Sequence, residues 1–437
     1  MTMNKREAII VVGVFLAVSA GTRIGAQSAA QTRPVKRSAS TPSRPKATGR
    51  PVMVVDRPPV RVLEDRNPTF NAIALNPKDK EVVISNNNKA STPSVLVYST
   101  EFRQTDRVME PRRRIAGANS RLGDFCGVAL SPENKEIYTV QGEDTEMKVF
   151  PMDGNGDLSA SRSLTIAHGA ADVYLDKAHD ELYISTEHIN RVSVYRRAAT
   201  GDEKPLRMIQ GPHTGLADPH GLYVDPQTDE LYVTNYGNFR LTNENDDTES
   251  TANEDAGGER KRDKPGLLKL KAPRKVMPLA PSTGRFIAPF IAVYSRTANG
   301  DAPPVRLIQG PHTGLNLPLG IARDPDSGQI VVANSGDNAI LFFDAKAAGD
   351  VPPVRALRGS ATNIKAPTGV AVDPTRRELW VTSWENHMAN VFSTVAEGNA
   401  TPLRYIRSAP KGAPPATFGT PGAVAWDPKR EEILVPN

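Results

Sequence analysis

The sequence predicts an all-β fold, a β-propeller of seven four-stranded antiparallel blades. Two observations lead to this prediction. The segment PHGLYVDPQTDELYVTNY at 219–236 recurs as PLGIARDPDSGQIVVANS at 318–335 and as PTGVAVDPTRRELWVTSW at 367–384. Each copy is followed by two further short apolar runs, so that four β-rich runs repeat about every 50 residues, which is the spacing of a propeller blade.

Each copy is predicted to form four consecutive strands. The first is a short apolar run that ends at an Asp-Pro turn, and the second opens with Glu or Gln and is rich in Val, Ile and Tyr. Third and fourth strands follow at 290–296 and 304–310, and their counterparts lie at 339–345 and 353–359, and at 388–394 and 402–408.

The first, inner strand of the unit can be located seven times, at 72–75, 127–130, 172–175, 221–224, 320–323, 369–372 and 423–426. The last copy stops after two strands. The segments 51–56 and 59–64 have the patterns of a third and a fourth strand, so we expect the N-terminal strands to pair with the last blade and close the ring. The propeller domain is therefore predicted over 51–437.

One interval between inner strands is much longer than the others because of residues 241–286, inside the fourth blade. This insertion is acidic at first and basic later, with Gly and Pro, and we expect a charged disordered loop. A partner-docking arm or a lid is the alternative.

The N-terminus has the layout of a secretory signal. Residues 1–26 contain Lys5 and Arg6, then an apolar stretch too short to span a bilayer, then small residues suited to cleavage. An uncleaved anchor is the alternative. Residues 27–50 are a basic Ser- and Pro-rich segment, predicted as a disordered linker that could associate with an anionic envelope surface.

Charge and cysteine content exclude several classes of protein. The chain carries a net charge of +5, of which residues 1–26 contribute +2 and residues 27–50 contribute +6, so the remainder carries −3. Nucleic-acid binding by the propeller is therefore not expected. The single cysteine, Cys126, excludes an internal disulfide framework.

Two polar recurrences accompany the strands. A Gly-Asp or Gly-Asn pair falls in the turn between the third and fourth strands, where positive φ angles are needed. The run DGNGD at 153–157 resembles a calcium-binding loop, but it contains one of these pairs and is therefore predicted to be a turn. A polar residue also ends each second strand and either forms a rim that binds a polar ligand or satisfies loose backbone groups. The rim positions are Asn86, Gln141, Thr186, Asn235, Asn334, Ser383 and Asn437.

The histidines are the strongest candidates for chemistry. Six of the seven map to one face of the predicted ring, five in loops and His220 at the start of the fourth inner strand, and His179 maps to the opposite face. Imidazoles there could bind a transition metal or act as a general base, although repeat copying alone also explains the duplicated QGPHTGL segments at 210–216 and 309–315. The six are His168, His188, His213, His220, His312 and His387.

The heads of the inner strands should line the central channel. They carry no carboxylate, although Asp124, Asp172 and Asp218 lie close to them, and this argues against a metal-dependent lactonase. These positions are Asn71, Cys126, Ala171, His220, Leu319, Thr368 and Gly422. Tyr236 and Trp384 lie on loops of the histidine face and could stack on a ligand.

The segments 219–226, 230–237 and 291–296 resemble the NHL and YVTN-type bacterial β-propeller repeat proteins. The resemblance spans about 51–437 and implies the propeller fold. It leaves the activity open, because similar rings include scaffolds, ligand binders, lactonases and lyases.

We therefore predict a secreted or periplasmic binding or scaffold protein that recognises a small polar ligand or a protein partner through one face of the ring, without catalysis or a cofactor. A purely structural envelope component is a further hypothesis. The alternative is a lactonase-like hydrolase or streptogramin-lyase-like lyase with His220 as its base and a divalent metal on His213, His220 and His312. The predicted ligand-binding face consists of His168, His188, His213, His220, Asn235, Tyr236, His312, Asn334, Trp384 and His387.

Overall fold

The computed structural model describes residues 67–88, 91–123, 125–240, 282–413, 425–427 and 432–434. These residues belong to one compact unit, Val62–Asn437. The predicted signal at 1–26 and linker at 27–50 lie outside the described residues. No helix in the described part of the chain is long and apolar enough to cross a membrane.

Six four-stranded antiparallel sheets make up the ring, each drawn from one stretch of chain and numbered as a blade in chain order. Blade 1 contains β1 (Phe70–Asn76), β2 (Glu81–Asn86), β3 (Ser94–Ser99) and β4 (Arg113–Ile115). Blade 2 contains β5 (Phe125–Ser131), β6 (Glu136–Gln141), β7 (Glu146–Pro151) and β8 (Arg162–Thr165). Blade 3 contains β9 (Ala170–Asp176), β10 (Glu181–Thr186), β11 (Arg191–Arg196) and β12 (Arg207–Ile209).

The second half of the ring repeats this order, with an extra hairpin in blade 4. Blade 4 contains β13 (Pro219–Asp225), β14 (Glu230–Asn235), β17 (Phe290–Ser295) and β18 (Arg306–Gln309), and its hairpin pairs β15 (Asn238–Arg240) with β16 (Ser282–Phe286). Blade 5 contains β19 (Pro318–Arg323), β20 (Gln329–Asn334), β21 (Ala339–Asp344) and β22 (Arg355–Arg358). Blade 6 contains β23 (Pro367–Asp373), β24 (Glu378–Ser383), β25 (Met388–Ser393) and β26 (Arg404–Arg407).

Short 3₁₀ helices occupy some of the loops between strands, at Glu187–Ile189, Pro311–Thr313, Ser335–Asp337 and Ser360–Thr362. A separate two-stranded sheet pairs β27 (Ala425–Asp427) with β28 (Glu432–Leu434).

The ring has six blades, so the prediction of seven was wrong. The inner strands contact one another in the order β1, β5, β9, β13, β19 and β23, and β23 contacts β1, which leaves no place for a seventh blade between them. Six hydrophobic clusters fill the six junctions between neighbouring blades, and the cluster at the last junction packs Phe70 of blade 1 with Trp380 of blade 6. The segments 51–56 and 59–64, predicted to close the ring, lie outside the described residues.

The seam between blades 6 and 1 is held by side chains that reach the backbone of blade 1. The Thr368 hydroxyl donates a hydrogen bond of 2.9 Å to the Asn71 carbonyl, and the Ser408 hydroxyl donates one of 2.7 Å to the Pro68 carbonyl. His387 Nδ1 lies 3.0 Å from the same Pro68 oxygen. These contacts take the place of the mixed-terminus blade that the sequence predicted.

The remaining five junctions between blades share one type of backbone bridge. The outer strand of each blade bridges the turn glycine between the third and fourth strands of the next blade, as Ile308 does with Gly349. Gly349 has a φ of 74°, and its four counterparts also have positive φ, as the Gly-Asp and Gly-Asn turns predicted. The calcium-like run 153–157 is such a turn, and Asp157 Oδ1 accepts hydrogen bonds from the backbone N–H groups of Asn119 and Ser120, in the loop that follows blade 1.

A charged pair ties the outer strand of a blade to its second strand. In blade 6, the Arg404 guanidinium donates two hydrogen bonds of 2.7 Å to the Glu378 carboxylate. Blades 1 to 4 contain the same Arg–Glu pair, and blade 5 has Gln329 in place of the glutamate. The Glu or Gln that opens each second strand was recognised in the sequence, but its arginine partner was not.

The predicted insertion 241–286 is a loop only in part. Its last residues form β16, which pairs with β15, so a two-stranded stem marks both ends of the insertion. Residues 241–281 lie outside the described part of the chain.

Candidate functional site

The inner strands surround a central channel with a cavity of about 800 Å³. Because the start of each inner strand pairs with the end of the second strand of the same blade, both positions meet at one end of the channel, here called the mouth. The cavity lining includes six of the seven predicted strand heads: Asn71, Cys126, Ala171, His220, Leu319 and Thr368. The seventh, Gly422, lies outside the described residues.

The residue that follows each second strand is a further source of lining side chains. In blades 1, 3, 4 and 6 this residue lines the cavity, as Asn87, Glu187, Tyr236 and Trp384. The position therefore brings a carboxylate and two aromatic rings to the mouth. The sequence prediction had assigned Tyr236 and Trp384 to this face but had overlooked Glu187.

Glu187, Asp218 and His220 form a compact cluster at the mouth between blades 3 and 4. His220 Nε2 lies 3.5 Å from Glu187 Oε2 and 3.7 Å from Asp218 Oδ1, and the three donor atoms all lie within 4.8 Å of one another. The prediction that this mouth lacks carboxylates was wrong, because the carboxylates come from positions beside the strand heads.

Local backbone structure holds each member of the cluster. Glu187 begins the 3₁₀ helix Glu187–Ile189, and His220 is the second residue of β13. Asp218 has a φ of 61°, and its counterparts in blades 5 and 6 also have positive φ. This backbone conformation is therefore a feature of the repeat and is not specific to the cluster. Its backbone N–H donates to the Asn190 side chain at 2.9 Å, which joins blade 3 to blade 4.

His220 is largely buried against an aromatic ring. The rings of His220 and Tyr236 lie 3.9 Å apart between centroids, with a tilt of 34°. Burial lowers the pKa of His220 to about 4, so its imidazole is neutral at pH 7. Burial, together with the nearby Asp218 and Glu187 carboxylates, raises the pKa of the Tyr236 hydroxyl far above its usual range, so Tyr236 keeps its proton.

Two further histidines lie behind Glu187. His188 Nε2 is 2.9 Å from Glu187 Oε1, and His188 Nδ1 is 3.1 Å from His168 Nδ1. If both imidazoles are neutral, His168 donates to His188 and His188 donates to Glu187, because each ring then has one N–H and one lone pair. This chain fixes one oxygen of Glu187 and leaves Oε2 directed towards His220.

Asp172 lines the channel on blade 3, where the corresponding residues of the other blades are Gly or Ala. Its carboxylate accepts hydrogen bonds from the backbone N–H groups of Val173 at 2.9 Å and of Leu222, in the next blade, at 3.2 Å. Burial raises the pKa of Asp172 to about 7, even though both hydrogen bonds favour the ionised form. We interpret Asp172 as a link between two inner strands.

The structure separates the metal ligands that the sequence suggested. His213 and His312 are exposed at 77% and 74% of their side chains, and each pairs with the turn aspartate of the next blade, Asp301 or Asp350. These contacts lie beside the outer strands, whereas His220 lies at the channel. A metal site made of His213, His220 and His312 is therefore not formed.

Three other predicted face residues also serve the backbone. Asn235 and Asn334 are fully buried, and their side-chain oxygens accept hydrogen bonds from Ala217 N at 3.0 Å and from Asn316 N at 2.7 Å. His387 is buried at the seam between blades 6 and 1. The polar residues at these strand ends therefore cap loops and do not form an open rim. His168, His188, His220, Tyr236 and Trp384 are the predicted residues that remain at or next to the mouth.

Residues 216–242, which include Asp218, His220 and Tyr236, match the NHL repeat. The comparison with curated proteins found no match. Among solved structures, the chain is similar to the Kuenenia stuttgartiensis hydrazine synthase, with 13% identity, a TM-score of 0.47, and coverage of 76% of this chain and 79% of that one.

A functionally unknown protein from Desulfotomaculum acetoxidans DSM 771 is similar at 13% identity and a TM-score of 0.47, covering 77% of this chain and 85% of that one. A chain of a nidogen/laminin complex is similar at 12% identity and a TM-score of 0.43, covering 78% and 93%. The NHL match and the ring of four-stranded blades together support the assignment of this protein to the NHL-type β-propeller repeat family.

Proposed function

We propose that the protein is a non-catalytic binding protein that takes a small, positively charged polar ligand into the mouth of its central channel. The observation that carries this proposal is the cluster of Glu187, Asp218 and His220, in which two carboxylates face a neutral imidazole. Glu187 and His220 line the cavity of about 800 Å³, and Asp218 is buried beside them. A cavity of this size suits a small molecule.

The charge of the wall favours a cation. With His220 neutral, the two carboxylates carry the local charge, and their partial burial strengthens their attraction for a positive group. Trp384 and Leu319 line the same cavity and could contact the apolar part of an organic ligand.

Isothermal titration calorimetry of the signal-free chain with spermidine and choline as cationic probes, and glucose as a neutral probe, tests the proposal. We expect saturable binding of a cationic probe at one site per chain. Binding should weaken about tenfold or more in Glu187→Gln, because a charged hydrogen-bond acceptor is lost. The matched control is Glu133→Gln, an exposed glutamate in the turn at the other end of blade 2. Absence of cation binding, or equal binding by both variants, would overturn the proposal.

An enzyme is the second candidate function, and the position of His220 beside two carboxylates favours it, since such an arrangement can supply a general base. The candidate activities are those of a lactonase-like hydrolase or a lyase. Incubation with a panel of γ- and δ-lactones, followed by mass spectrometry, separates the two functions. Ring opening that disappears in His220→Ala would establish the enzyme, and unchanged lactones would support binding alone.

We further propose that the protein is exported to the periplasm or the medium, on the basis of the signal layout of residues 1–26. Its partner could also be a protein, and the basic segment 27–50 could hold it near an anionic envelope surface. Release of the chain by osmotic shock, with loss of the first 20 to 30 residues or so, is the expected result. Retention of the intact N-terminus in the cytoplasm would refute export.

A further inference from the structure

We infer that Glu187, Asp218 and His220 form a binding site for one divalent transition-metal ion of the Zn²⁺ class. The inference rests on the proposed function, because it names a metal ion as the cation that the channel mouth takes. It uses none of the outer histidines, His213 and His312, that the sequence suggested as ligands.

The spacing of the donor atoms fits such an ion. Bonds of about 2.0 to 2.1 Å in a tetrahedral arrangement place neighbouring ligand atoms about 3.3 Å apart. His220 Nε2 lies 3.5 Å from Glu187 Oε2 and 3.7 Å from Asp218 Oδ1, so small side-chain adjustments would bring all three atoms to bonding distance. The same separations are too long for good hydrogen bonds.

The environment of the His220 imidazole is the second observation that favours a bound cation. Its Nε2 atom is buried and makes no hydrogen bond with the described residues, although it faces two carboxylates. A buried polar nitrogen without a partner costs free energy, and a cation between the imidazole and the carboxylates would remove that cost. Stacking against Tyr236 holds the ring in this orientation.

The groups around the cluster resemble the outer shell of a metal site. Ligating carboxylates are commonly hydrogen-bonded through the oxygen that does not bind the ion. His188 Nε2 contacts Glu187 Oε1 at 2.9 Å, and His168 contacts His188 in turn. Glu187 is thereby held with its other oxygen towards His220.

The donor set also selects the class of ion. One imidazole nitrogen and two carboxylate oxygens suit Zn²⁺ or a neighbouring transition metal, whereas Ca²⁺ takes six to eight oxygen ligands. Three protein ligands leave the fourth position of a tetrahedral ion open. Because Glu187 and His220 line the cavity, we expect that position to face the channel.

Calorimetric titration of the full signal-free chain with Zn²⁺, and with Ca²⁺ for comparison, tests the inference, and the visible spectrum of bound Co²⁺ gives a second readout. We expect one Zn²⁺ per chain, weak or no Ca²⁺ binding, and the intense Co²⁺ bands of a tetrahedral site. Affinity for Zn²⁺ should fall about 100-fold or more in His220→Ala, and about tenfold or more in His188→Ala, which removes an outer-shell contact.

His312→Ala is the matched control, because it removes an exposed histidine that also contacts a carboxylate. Absence of Zn²⁺ binding by the wild-type chain, or equal losses in His220→Ala and His312→Ala, would overturn the inference. If His220→Ala does not fold, Asp218→Asn provides the same comparison.

The titrations with spermidine and choline, repeated with a metal chelator, separate this inference from the proposed function. Binding of an organic cation without any binding of Zn²⁺ would overturn the metal site and leave the proposed function intact. Binding of Zn²⁺ with no binding of organic cations would leave the metal site intact and overturn the proposed function. Loss of both would overturn both.

Discussion

Gly221 follows His220 on the inner strand of blade 4, and replacing it with alanine should disturb both the ring and the channel mouth. A Cβ atom at Gly221 would lie 2.2 Å from the Leu319 carbonyl oxygen and 3.1 Å from Gly320 Cα and Ile321 N, all on the neighbouring inner strand. These are backbone atoms, so no side-chain rotation can relieve the contact.

The size of the effect follows from these distances. An ordinary contact needs about 3.4 Å, so β13 and β19 must separate by about 1 Å, in a ring whose blades are packed on both sides. The Leu319 carbonyl also accepts a hydrogen bond of 2.7 Å from Thr234, which the shift would strain. Overpacking of this kind costs about 3 kcal/mol, and a domain of this size would melt about 4 °C lower.

Gly349→Ala is the control for this substitution. Gly349 has a φ of 74° but no atom within 4 Å of an added Cβ, so alanine there meets only the cost of the left-handed conformation, about 1 kcal/mol. Guanidinium unfolding and differential scanning calorimetry of both variants provide the measurement. The Zn²⁺ affinity should fall in Gly221→Ala alone. Equal destabilisation by the two substitutions would refute the argument from close strand approach.

Three further substitutions test other features of the ring. Glu378→Gln should destabilise the protein by about 2 kcal/mol in guanidinium unfolding, because it leaves the largely buried Arg404 without its carboxylate; unchanged stability would contradict this role. Gln329→Glu should instead stabilise blade 5 by about 1 kcal/mol, because Arg355 Nε already contacts the Gln329 side-chain oxygen at 2.9 Å, and a loss of stability would show that the blade 5 site does not accept the added charge. The pKa of Asp172 is raised to about 7 in the folded state. The contribution of Asp172 to the free energy of unfolding is therefore complete below about pH 4 and declines by up to about 4 kcal/mol as the pH rises to 7. The difference in unfolding free energy between the wild type and Asp172→Asn should follow this course, and a difference independent of pH would refute it.

The sequence identified the strands and turns well because their signals are local. The Gly-Asp turns and the Glu- or Gln-initiated second strands recur in the structure where the repeats placed them. The number of blades depends on which blades pack together, and a count of repeat copies cannot reveal this. Phe70 packs with Trp380, and Thr368 donates a hydrogen bond to Asn71. These contacts join residues about 300 positions apart, and no local sequence pattern predicts them.

The position of a histidine along the repeat did not indicate how far it lies from the channel axis. His213 follows an outer strand and lies at the outer edge, whereas His220 heads an inner strand and lies at the channel. Both were assigned to one face of the ring, and that assignment did not separate them. Glu187 could have been found by reading the position after each second strand, which also gives Tyr236 and Trp384.

The seam between blades 6 and 1 has a consequence for how the protein folds and how such rings evolve. Within the described residues, every blade is a continuous stretch of chain, so each sheet can form as soon as its own segment has been synthesised. Only the seam must await the last blade, and amide hydrogens there should exchange first when the ring opens. Since no blade is shared between the chain ends among these residues, gain or loss of a whole blade at the seam changes the circumference of the ring without cutting a sheet.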